Sequence, residues 1–273
     1  MFAAASPPSF EILATFDYSQ SAANAFASAI NDKGDVAGSY GAESGAVRGF
    51  VRLSNGRLSG PIIHPDEQDH FSGINGINNL KTLCGYYFSM KNQHSFLLSG
   101  GTFTDITTIA RETEVFGVND AGNVCGITTH PDAAFVIIGG TATLFTIPGS
   151  SYNLADGINN LDQCVGFYVN EPIAAGFRRD ADGTLTYPIT APGSPSTTAL
   201  AGINDSGSMV GVMVDTAGVR AVFFDPSGRS TVYDYPGATS TRFSGINNKG
   251  MICATYDDGN GTHSFIVRVR PGQ

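Results

Sequence analysis

The stretch Gly245-Ile246-Asn247-Asn248-Lys249-Gly250 decides the fold, because the chain repeats its first four residues with small changes. Each copy has Ile or Val, then Asn, then Asn or Asp, and we call this Asn the signature Asn. The other copies are Ala29-Ile30-Asn31-Asp32, Gly76-Ile77-Asn78-Asn79, Gly117-Val118-Asn119-Asp120, Gly157-Ile158-Asn159-Asn160 and Gly202-Ile203-Asn204-Asp205. Successive signature asparagines are 47, 41, 40, 45 and 43 residues apart. This period, filled with short β-type segments, is typical of a propeller blade.

Each repeat is predicted to hold four strands, A to D. Strand A ends at the signature, and strand B is an apolar run such as Val124-Cys125-Gly126. Strand C is marked by one large apolar residue in each repeat: Phe50, Phe96, Phe135, Phe177, Val222 and Phe265. Two-residue hairpin turns are predicted between strands C and D. These turns are Asn55-Gly56, Gly100-Gly101, Gly139-Gly140, Asp182-Gly183 and Ser227-Gly228.

The last repeat stops at Arg270 without a strand D, while residues 10–16 form an additional strand ahead of the first signature. Pairing these two segments would remove two free sheet edges. The sequence therefore predicts an all-β, six-bladed β-propeller of four-stranded antiparallel blades, in which the N-terminal strand completes the C-terminal blade. Residues 1–273 are expected to form this single domain.

Composition narrows the choice of partners. The formal net charge is −9, and the 15 Lys and Arg residues are scattered along the chain. Nucleic acid is not expected as a partner, because phosphate binding requires clustered basic residues. Membrane insertion is not expected either, since no apolar run approaches the roughly 18 residues that span a bilayer. The N-terminal stretch has no basic segment followed by a long apolar one, so it is not an intact signal peptide.

The four cysteines follow the repeat. Cys84, Cys125 and Cys253 occupy the sixth position after a signature Asn, where other blades have Ala or Val, and Cys164 lies one position earlier. Each is therefore interpreted as a small apolar core residue rather than part of a disulfide or a metal site. The signature Asn is likewise interpreted as scaffold, with its amide bonding the backbone of the following turn.

The chain also resembles bacterial proteins with HAF repeats. The residues that carry this resemblance are Gly-Ile-Asn-Asn, the glycine-containing strand B, and the His-Ser-Phe triplets at 94–96 and 263–265. It covers the chain from about Phe10 to Arg270. The resemblance implies an extracellular or periplasmic location. The His of the triplet is present in only two repeats, which argues against a catalytic role for it.

Positions that differ between blades are the candidates for function. The turns between strands A and B and between C and D share one face of the ring, and are short and uniform. The B–C and D–A loops share the other face and vary. We call these the turn face and the loop face. A functional site is expected on the loop face, at the mouth of the central channel.

The link His64-Pro65-Asp66-Glu67-Gln68-Asp69-His70 departs most from its counterparts. It could supply ligands to a divalent cation, with His64, Asp66 and His70 as candidates, or acid–base groups, with Asp69 and His70 as candidates. The alternative is a solvated polar loop. No cofactor is required by the sequence, although a divalent cation is compatible with it.

Strand A supplies the second set of candidates. Glu114, Asp156 and Arg242 are charged residues at positions that are small or apolar in most other blades. Since strand A is the innermost strand, their side chains are expected near the channel. They could form a polar pocket with a general base and an anion-binding Arg. The alternative is an ion pair between blades or a water-filled channel.

Two functions follow from these observations. The first is a secreted or cell-surface binding module that presents variable loops to a glycan, peptide or small molecule. The absence of Trp argues against a sugar-stacking platform, although Tyr86, Tyr87 or Tyr152 could substitute. The alternative is a hydrolase or lyase that acts on a small or carbohydrate-like substrate at the channel mouth, with Asp69, His70, Glu114, Asp156 and Arg242 as candidate catalytic residues.

Overall fold

The structure is a computed structural model that describes residues 6–18, 25–106, 112–129, 131–193, 197–270 and 272. The regular elements of these residues are strands, β1 to β23, arranged as antiparallel sheets around one axis. They make six blades, as the repeat predicts. In the described part of the chain, no helix is long and apolar enough to cross a membrane.

Each blade begins at the axis with strand A and continues outward. The A strands are β2 (Ala25–Ile30), β5 (Ser72–Ile77), β9 (Thr113–Val118), β13 (Tyr152–Ile158), β17 (Thr197–Ile203) and β21 (Ser240–Ile246). The B strands are β3 (Val36–Gly41), β6 (Leu83–Ser89), β10 (Val124–Thr129), β14 (Cys164–Asn170), β18 (Met209–Asp215) and β22 (Met251–Asp257). The C strands are β4 (Val47–Arg52), β7 (Asn92–Ser99), β11 (Asp132–Ile138), β15 (Ile173–Arg179), β19 (Gly218–Phe224) and β23 (Thr262–Arg270). The D strands are β8 (Thr102–Ile106), β12 (Thr141–Phe145), β16 (Leu185–Ile189), β20 (Ser230–Tyr233) and β1 (Ser9–Phe16).

The N-terminal strand closes the ring as predicted. β1 pairs antiparallel with β23, from Ser9 opposite Arg270 to Phe16 opposite Ser264. The sheet order β1-β23-β22-β21 makes β1 the outer strand of the sixth blade. The first and the last strand of the described residues therefore belong to one blade.

Blade 1 is the exception to four complete strands. Its sheet contains β2, β3 and β4, and the fourth segment pairs with β4 only through isolated bridges, Arg52 with Leu58 and Gly49 with Ile62. The interruption coincides with Gly60-Pro61. Proline has no backbone N–H, so the ladder cannot continue through this position.

The C–D hairpins are of two kinds. Gly100-Gly101 and Gly139-Gly140 are two-residue turns in which both glycines have positive φ, as predicted. The two-residue prediction is wrong for the other three hairpins. Leu53 N–H donates to Arg57 O across a three-residue loop, and the Asp182-Gly183 and Ser227-Gly228 turns have the same pattern. Only the final glycine of these loops has positive φ, because a type I turn precedes it.

The blade interiors are packed as the sequence predicts. The large residue of every strand C is fully buried: Phe50, Phe96, Phe135, Phe177, Val222 and Phe265. All four cysteines are buried free thiols. Burial raises the pKa of Cys164 to about 12, which keeps this thiol protonated and unreactive.

Serine side chains connect neighbouring blades. Ser95 Oγ donates to Thr113 O (2.6 Å) and accepts from Val115 N–H (3.1 Å) in the next A strand. Ser264 makes the same pair of bonds to Ala25 O (2.7 Å) and Ala27 N–H (3.0 Å). These are the serines of the two His-Ser-Phe triplets, so the triplet Ser is part of the scaffold.

Close packing at the axis explains the glycine of the signature. A Cβ on Gly157 would lie 2.7 Å from Ala201 O and 2.9 Å from the Cα of Gly202 in the next blade. Neighbouring A strands therefore touch backbone to backbone. Only blade 1 has a larger residue at this position, Ala29.

The signature asparagines form a closed ring of hydrogen bonds on the turn face. Each Nδ2 donates to the carbonyl oxygen of the signature Asn in the next blade, over distances from 2.8 to 3.3 Å. Each Oδ1 accepts the backbone N–H four residues later, within its own turn. The predicted bond to the following turn is confirmed, and the bond between blades is an additional role.

A second ring surrounds the first. The residues after the signature alternate around the axis between carboxylate and amide: Asp32, Asn79, Asp120, Asn160, Asp205 and Asn248. Each donates its backbone N–H to Oδ1 of the next one. Asn79 Nδ2 also donates to Asp32 (3.1 Å) and to Asp120 (2.9 Å). The alternation matches donors to acceptors. The two rings together line a cavity of about 70 Å³ at this end of the axis.

The asparagine ring can be tested with one isosteric change. Asn78→Asp keeps the Oδ1 acceptor but removes the Nδ2 donor to Asn119 O (2.8 Å), and it buries a carboxylate against a carbonyl oxygen. We expect a loss of about 2–4 kcal/mol in the free energy of unfolding, measured by urea denaturation at pH 7. Asn55→Asp, in an exposed C–D turn, is the matched control and should change stability by less than about 0.5 kcal/mol. Equal effects of the two changes would contradict a structural role for the ring.

Candidate functional site

The loop-face mouth of the axial channel is a cavity of about 310 Å³. It is lined mainly by A strands, as the sequence predicts. Asp156 and Arg242 lie in its wall, together with Asn75, Phe26 and Phe116. The residues that line this mouth differ from blade to blade, whereas those at the turn-face end of the axis are equivalent in all blades.

A β-bulge in every A strand directs side chains into the channel. The pairing of strand A with strand B skips one residue in each blade, three residues before the signature Asn. The skipped residues are Ser28, Asn75, Phe116, Asp156, Ala201 and Ser244. A bulge re-aims a side chain and is common next to binding and active sites. The chain thus presents one variable side chain per blade on a uniform frame.

Glu114 and Asp156 form an acidic pair across the boundary between blades 3 and 4. Asn75 Nδ2 donates to Glu114 Oε1 (3.2 Å) and to Val115 O (3.0 Å), which fixes the Glu114 side chain. Asp156 has no hydrogen-bond or ion-pair partner within the described residues. It retains some accessible surface toward the channel lumen.

Both carboxyl groups hold their protons more strongly than usual. Burial, followed by repulsion from the charge of Glu114, raises the pKa of Asp156 to about 7. Burial also raises the pKa of Glu114, although hydrogen bonds from Gln93 and Asn75 oppose the shift. Perturbed carboxyl groups in a cavity are characteristic of functional sites.

Arg242 lies on β21 in blade 6, opposite blade 3 in the ring. Its side chain is exposed and has no carboxylate partner within the described residues. The mouth therefore holds an acidic side and a basic side that do not neutralise each other. In the described part of the chain, these groups do not form the interblade ion pair that the sequence left open as an alternative.

In the link between blades 1 and 2, His64 is buried, whereas Asp66, Gln68 and His70 are exposed. His64 is 3% exposed and its ring stacks on Tyr87, with centroids 3.8 Å apart and an interplanar angle of 4°. Asp66 N–H donates to His64 Nδ1 (3.2 Å), and His64 Nε2 lies 3.4 Å from Asp105 Oδ1. Burial lowers the pKa of His64, so the ring is neutral with its proton on Nε2.

A repeated packing position accounts for His64. In four D–A links the residue before proline donates its N–H to a polar side chain of the next A strand: His64 to Ser72, Ile147 to Asn153, Ala191 to Thr198 and Tyr235 to Thr241. Tyr235 stacks on Tyr256 as His64 stacks on Tyr87. Aligning the X-Pro pairs of the sequence would have identified His64 as a core residue.

Asp69 and His70 lie apart from the mouth, and neither lines the cavity. Asp69 Oδ2 accepts from Lys91 N–H (2.7 Å), and Glu67 accepts from His70 N–H. The structure thus brings Asp156 and Arg242 into one cavity, with Glu114 beside it, and separates Asp69 and His70 from them.

The metal candidates His64, Asp66 and His70 do not converge. Both ring nitrogens of His64 are already engaged, and His70 is exposed. Among the described residues, no group of three or more His, Cys, Asp or Glu side chains is arranged to hold a metal ion. The cation site at this link stays a prediction.

The loop face carries most of the negative charge. Its described acidic residues are Asp17, Glu43, Asp66, Glu67, Asp69, Asp105, Glu112, Glu114, Asp132, Asp156, Glu171, Asp215, Asp234, Asp257 and Asp258. Its described basic residues are Arg48, Lys91, Arg220 and Arg242, and two of these are already paired, Arg48 with Glu67 and Arg220 with Asp215 and Asp234. This field repels polyanions and favours a ligand that carries a cationic group.

The tyrosines near the mouth have different environments. Tyr87 is buried between His64 and His94 and cannot serve as a sugar platform. Tyr86 and Tyr152 lie near Glu114, whose charge adds to the effect of burial in raising the pKa of both phenols. Of the three tyrosines, these two are therefore the ones beside the acidic pair.

Comparison with known proteins shows the fold but no family. No family model matches the chain, so the likeness to HAF repeats remains a resemblance. No curated protein matches it either.

Several solved structures share the architecture. A putative TolB from Agrobacterium tumefaciens is 14% identical, with a TM-score of 0.60 over 90% of each chain. A virginiamycin B lyase from Staphylococcus aureus is also 14% identical, with a TM-score of 0.54 over 97% of this chain and 89% of its own. The BP39L lectin from Burkholderia pseudomallei is 13% identical, with a TM-score of 0.53 over 88% and 79% of the two chains. At these identities the likeness supports the fold alone.

The raised pKa of Asp156 predicts a pH-dependent stability. The pKa of an Asp is ~3.9 in the unfolded chain, whereas that of Asp156 is about 7 in the folded one. The folded state therefore binds more protons between these values, so its stability is full below pH ~4 and falls as the pH rises from there through 7. Asp156→Asn should match the unmodified chain at pH 4 and exceed it by about 1–3 kcal/mol at pH 8.

Urea denaturation from pH 4 to pH 8 measures this difference. Asp132→Asn, which changes an exposed carboxylate on the same face, is the control and should keep the pH dependence of the unmodified chain. An Asp156→Asn profile that falls as steeply as the unmodified one would show that Asp156 titrates normally.

Proposed function

We propose that this chain is a binding module that takes its ligand at the loop-face mouth of the axial channel. The observation that supports this most strongly is the bulge ring, which places chemically different side chains around one cavity on an otherwise uniform scaffold. Sites of this kind, with apolar walls and a few converging polar groups, are typical of small-ligand pockets. Two opposite charges that do not compensate each other within one cavity are best explained by a ligand that compensates both.

Propellers of the same fold are used for binding elsewhere. The BP39L lectin is one such case, an Aleuria aurantia lectin is seen in complex with Fucα1-6GlcNAc, and another propeller belongs to a nidogen–laminin complex. These neighbours make glycan, peptide or protein ligands reasonable classes to test. They support the use of the fold and do not identify this chain's ligand.

A secreted or periplasmic location belongs to the same proposal. It is supported by the resemblance to HAF repeats. The four thiols are buried in the blade interiors, where an oxidant in solution has poor access to them. The single-domain assignment to residues 1–273 is likewise proposed, on the strength of the ring closed by β1.

An enzyme acting at the same mouth is the second candidate. It is favoured by the pKa of Asp156, which lies near 7, where a carboxyl group can act as general acid or base. Glu114 is the neighbouring carboxyl group, and Arg242 is placed to orient an anionic group of a substrate. A virginiamycin B lyase in which one His is replaced by Ala is described as catalytically inactive, whereas no described His of this chain lines the mouth. The enzyme hypothesis therefore depends on carboxylates alone.

The mouth can be tested by filling it. Ser244→Trp places an indole among the lining residues, and Leu80→Trp places one on the turn face, where Leu80 is 71% exposed. Glycan and peptide arrays and a soluble-metabolite panel should yield ligands that bind the unmodified chain and Leu80→Trp but not Ser244→Trp. Thermal melts of both variants establish that they are folded.

Two outcomes would decide against parts of this proposal. Ligands that bind Ser244→Trp as tightly as the unmodified chain would place the site elsewhere. Turnover of a chromogenic lactone, phosphoester or glycoside that is abolished by Asp156→Asn would establish the enzyme instead of the simple binder.

A further inference from the structure

We infer that the ligand of the mouth is a small zwitterion, namely an amino acid or short peptide with free ends, whose ammonium group lies at Asp156 and whose carboxylate lies at Arg242. This inference rests on the proposed function, because it names the ligand class of that same cavity. It follows from the separation of two unpaired opposite charges across one cavity.

The acidic side of the cavity lacks a cation. Glu114 is fixed by Asn75, whereas the Asp156 carboxyl group has no hydrogen-bond or ion-pair partner in the described part of the chain. A carboxylate in a confined site is unfavourable unless a counter-charge or donors compensate it. A primary ammonium supplies one positive charge and three donors, which suits a carboxylate pair.

The basic side lacks an anion. Arg242 projects from blade 6 into the same cavity, and no described carboxylate pairs with it. By contrast, Arg220 and Arg48 on the same face both have acidic partners. A planar guanidinium binds a carboxylate through two parallel hydrogen bonds. A ligand that is only cationic or only anionic would leave one side uncompensated.

The walls and the size of the cavity restrict the ligand further. Phe26, which is 47% exposed, and Phe116 supply apolar surface between the two charged sides. Ser28, Ser244 and Thr255 add small polar groups. A volume of about 310 Å³ is at the lower end for small-ligand sites and matches one or a few amino-acid residues rather than an extended chain. A neutral sugar would satisfy neither charge.

The test compares ligands that differ only at their ends. Phe, Phe-Gly and Phe-Gly-Gly are each titrated calorimetrically at pH 7.5 beside their N-acetyl and C-amide forms. At least one member of the series should bind, and each cap should weaken its binding by about tenfold or more, the usual effect of losing one charged hydrogen-bonded contact. The length of the best ligand reports the distance between the two charged sides.

Two variants test which side chain binds each end of the ligand. Asp156→Asn should weaken binding of the free peptide as much as N-acetylation weakens its binding to the unmodified chain. In the Asp156→Asn variant, N-acetylation of the ligand should cause no further loss of affinity. Arg242→Gln should behave in the same way toward C-amidation. Asp132→Asn on the loop face and Arg57→Gln in an exposed C–D turn are the matched controls, which should bind as the unmodified chain does.

The outcomes separate this inference from the proposed function. If free peptides bind no tighter than both capped forms, or bind Asp156→Asn equally well, the zwitterion is wrong. Should the arrays at the same time yield a neutral glycan that Ser244→Trp excludes, the mouth remains the binding site with a different ligand. If every ligand binds Ser244→Trp and Leu80→Trp equally well, both the zwitterion inference and the proposed binding site are wrong.

Discussion

The amide of the signature Asn is the interaction on which the rest of the structure depends. Its Oδ1 holds the A–B turn of its own blade, while its Nδ2 bonds the equivalent carbonyl oxygen of the next blade, and six such bonds close on themselves. No other side chain of this size offers an acceptor and a donor in these two directions. The Asp/Asn ring around it and the glycine contacts between A strands reinforce the same end of the axis. Six equivalent residues line that end of the axis, whereas the bulge positions toward the opposite end differ from blade to blade.

Much of the fold could be predicted from the sequence, since spacing and turn chemistry report it directly. The repeat of Asn31 to Asn247 predicted the number of blades, and the additional strand at residues 10–16 predicted the closure. Other features depend on three-dimensional neighbours and were missed. The broken strand D at Gly60-Pro61, the three-residue loops, and the alternation of Asp32, Asn79 and their equivalents all require knowledge of which groups face each other.

In the candidate site, too, some features could be predicted from the sequence and others could not. Counting back from the signature identified Asp156 and Arg242 as charges near the axis, and the cavity contains both. The sequence could not show that the Asp156 position is a bulge that turns its side chain into the lumen. His64 was misleading, because a His in an acidic link has the composition of a metal site, yet its position before a proline places it in the core against Tyr87. Composition of a short segment says little about which side chains point inward.

Native-state hydrogen exchange tests the closed ring most directly. The backbone amides that donate to the six signature Oδ1 atoms belong to Asp35, Thr82, Asn123, Gln163, Ser208 and Met251. If the ring makes the six blades one cooperative unit, these amides should exchange only through global unfolding, with one common free energy of opening. A markedly lower opening free energy for the amide of any single blade, above all for Met251 in the blade completed by β1, would show that this blade opens on its own and would contradict the account.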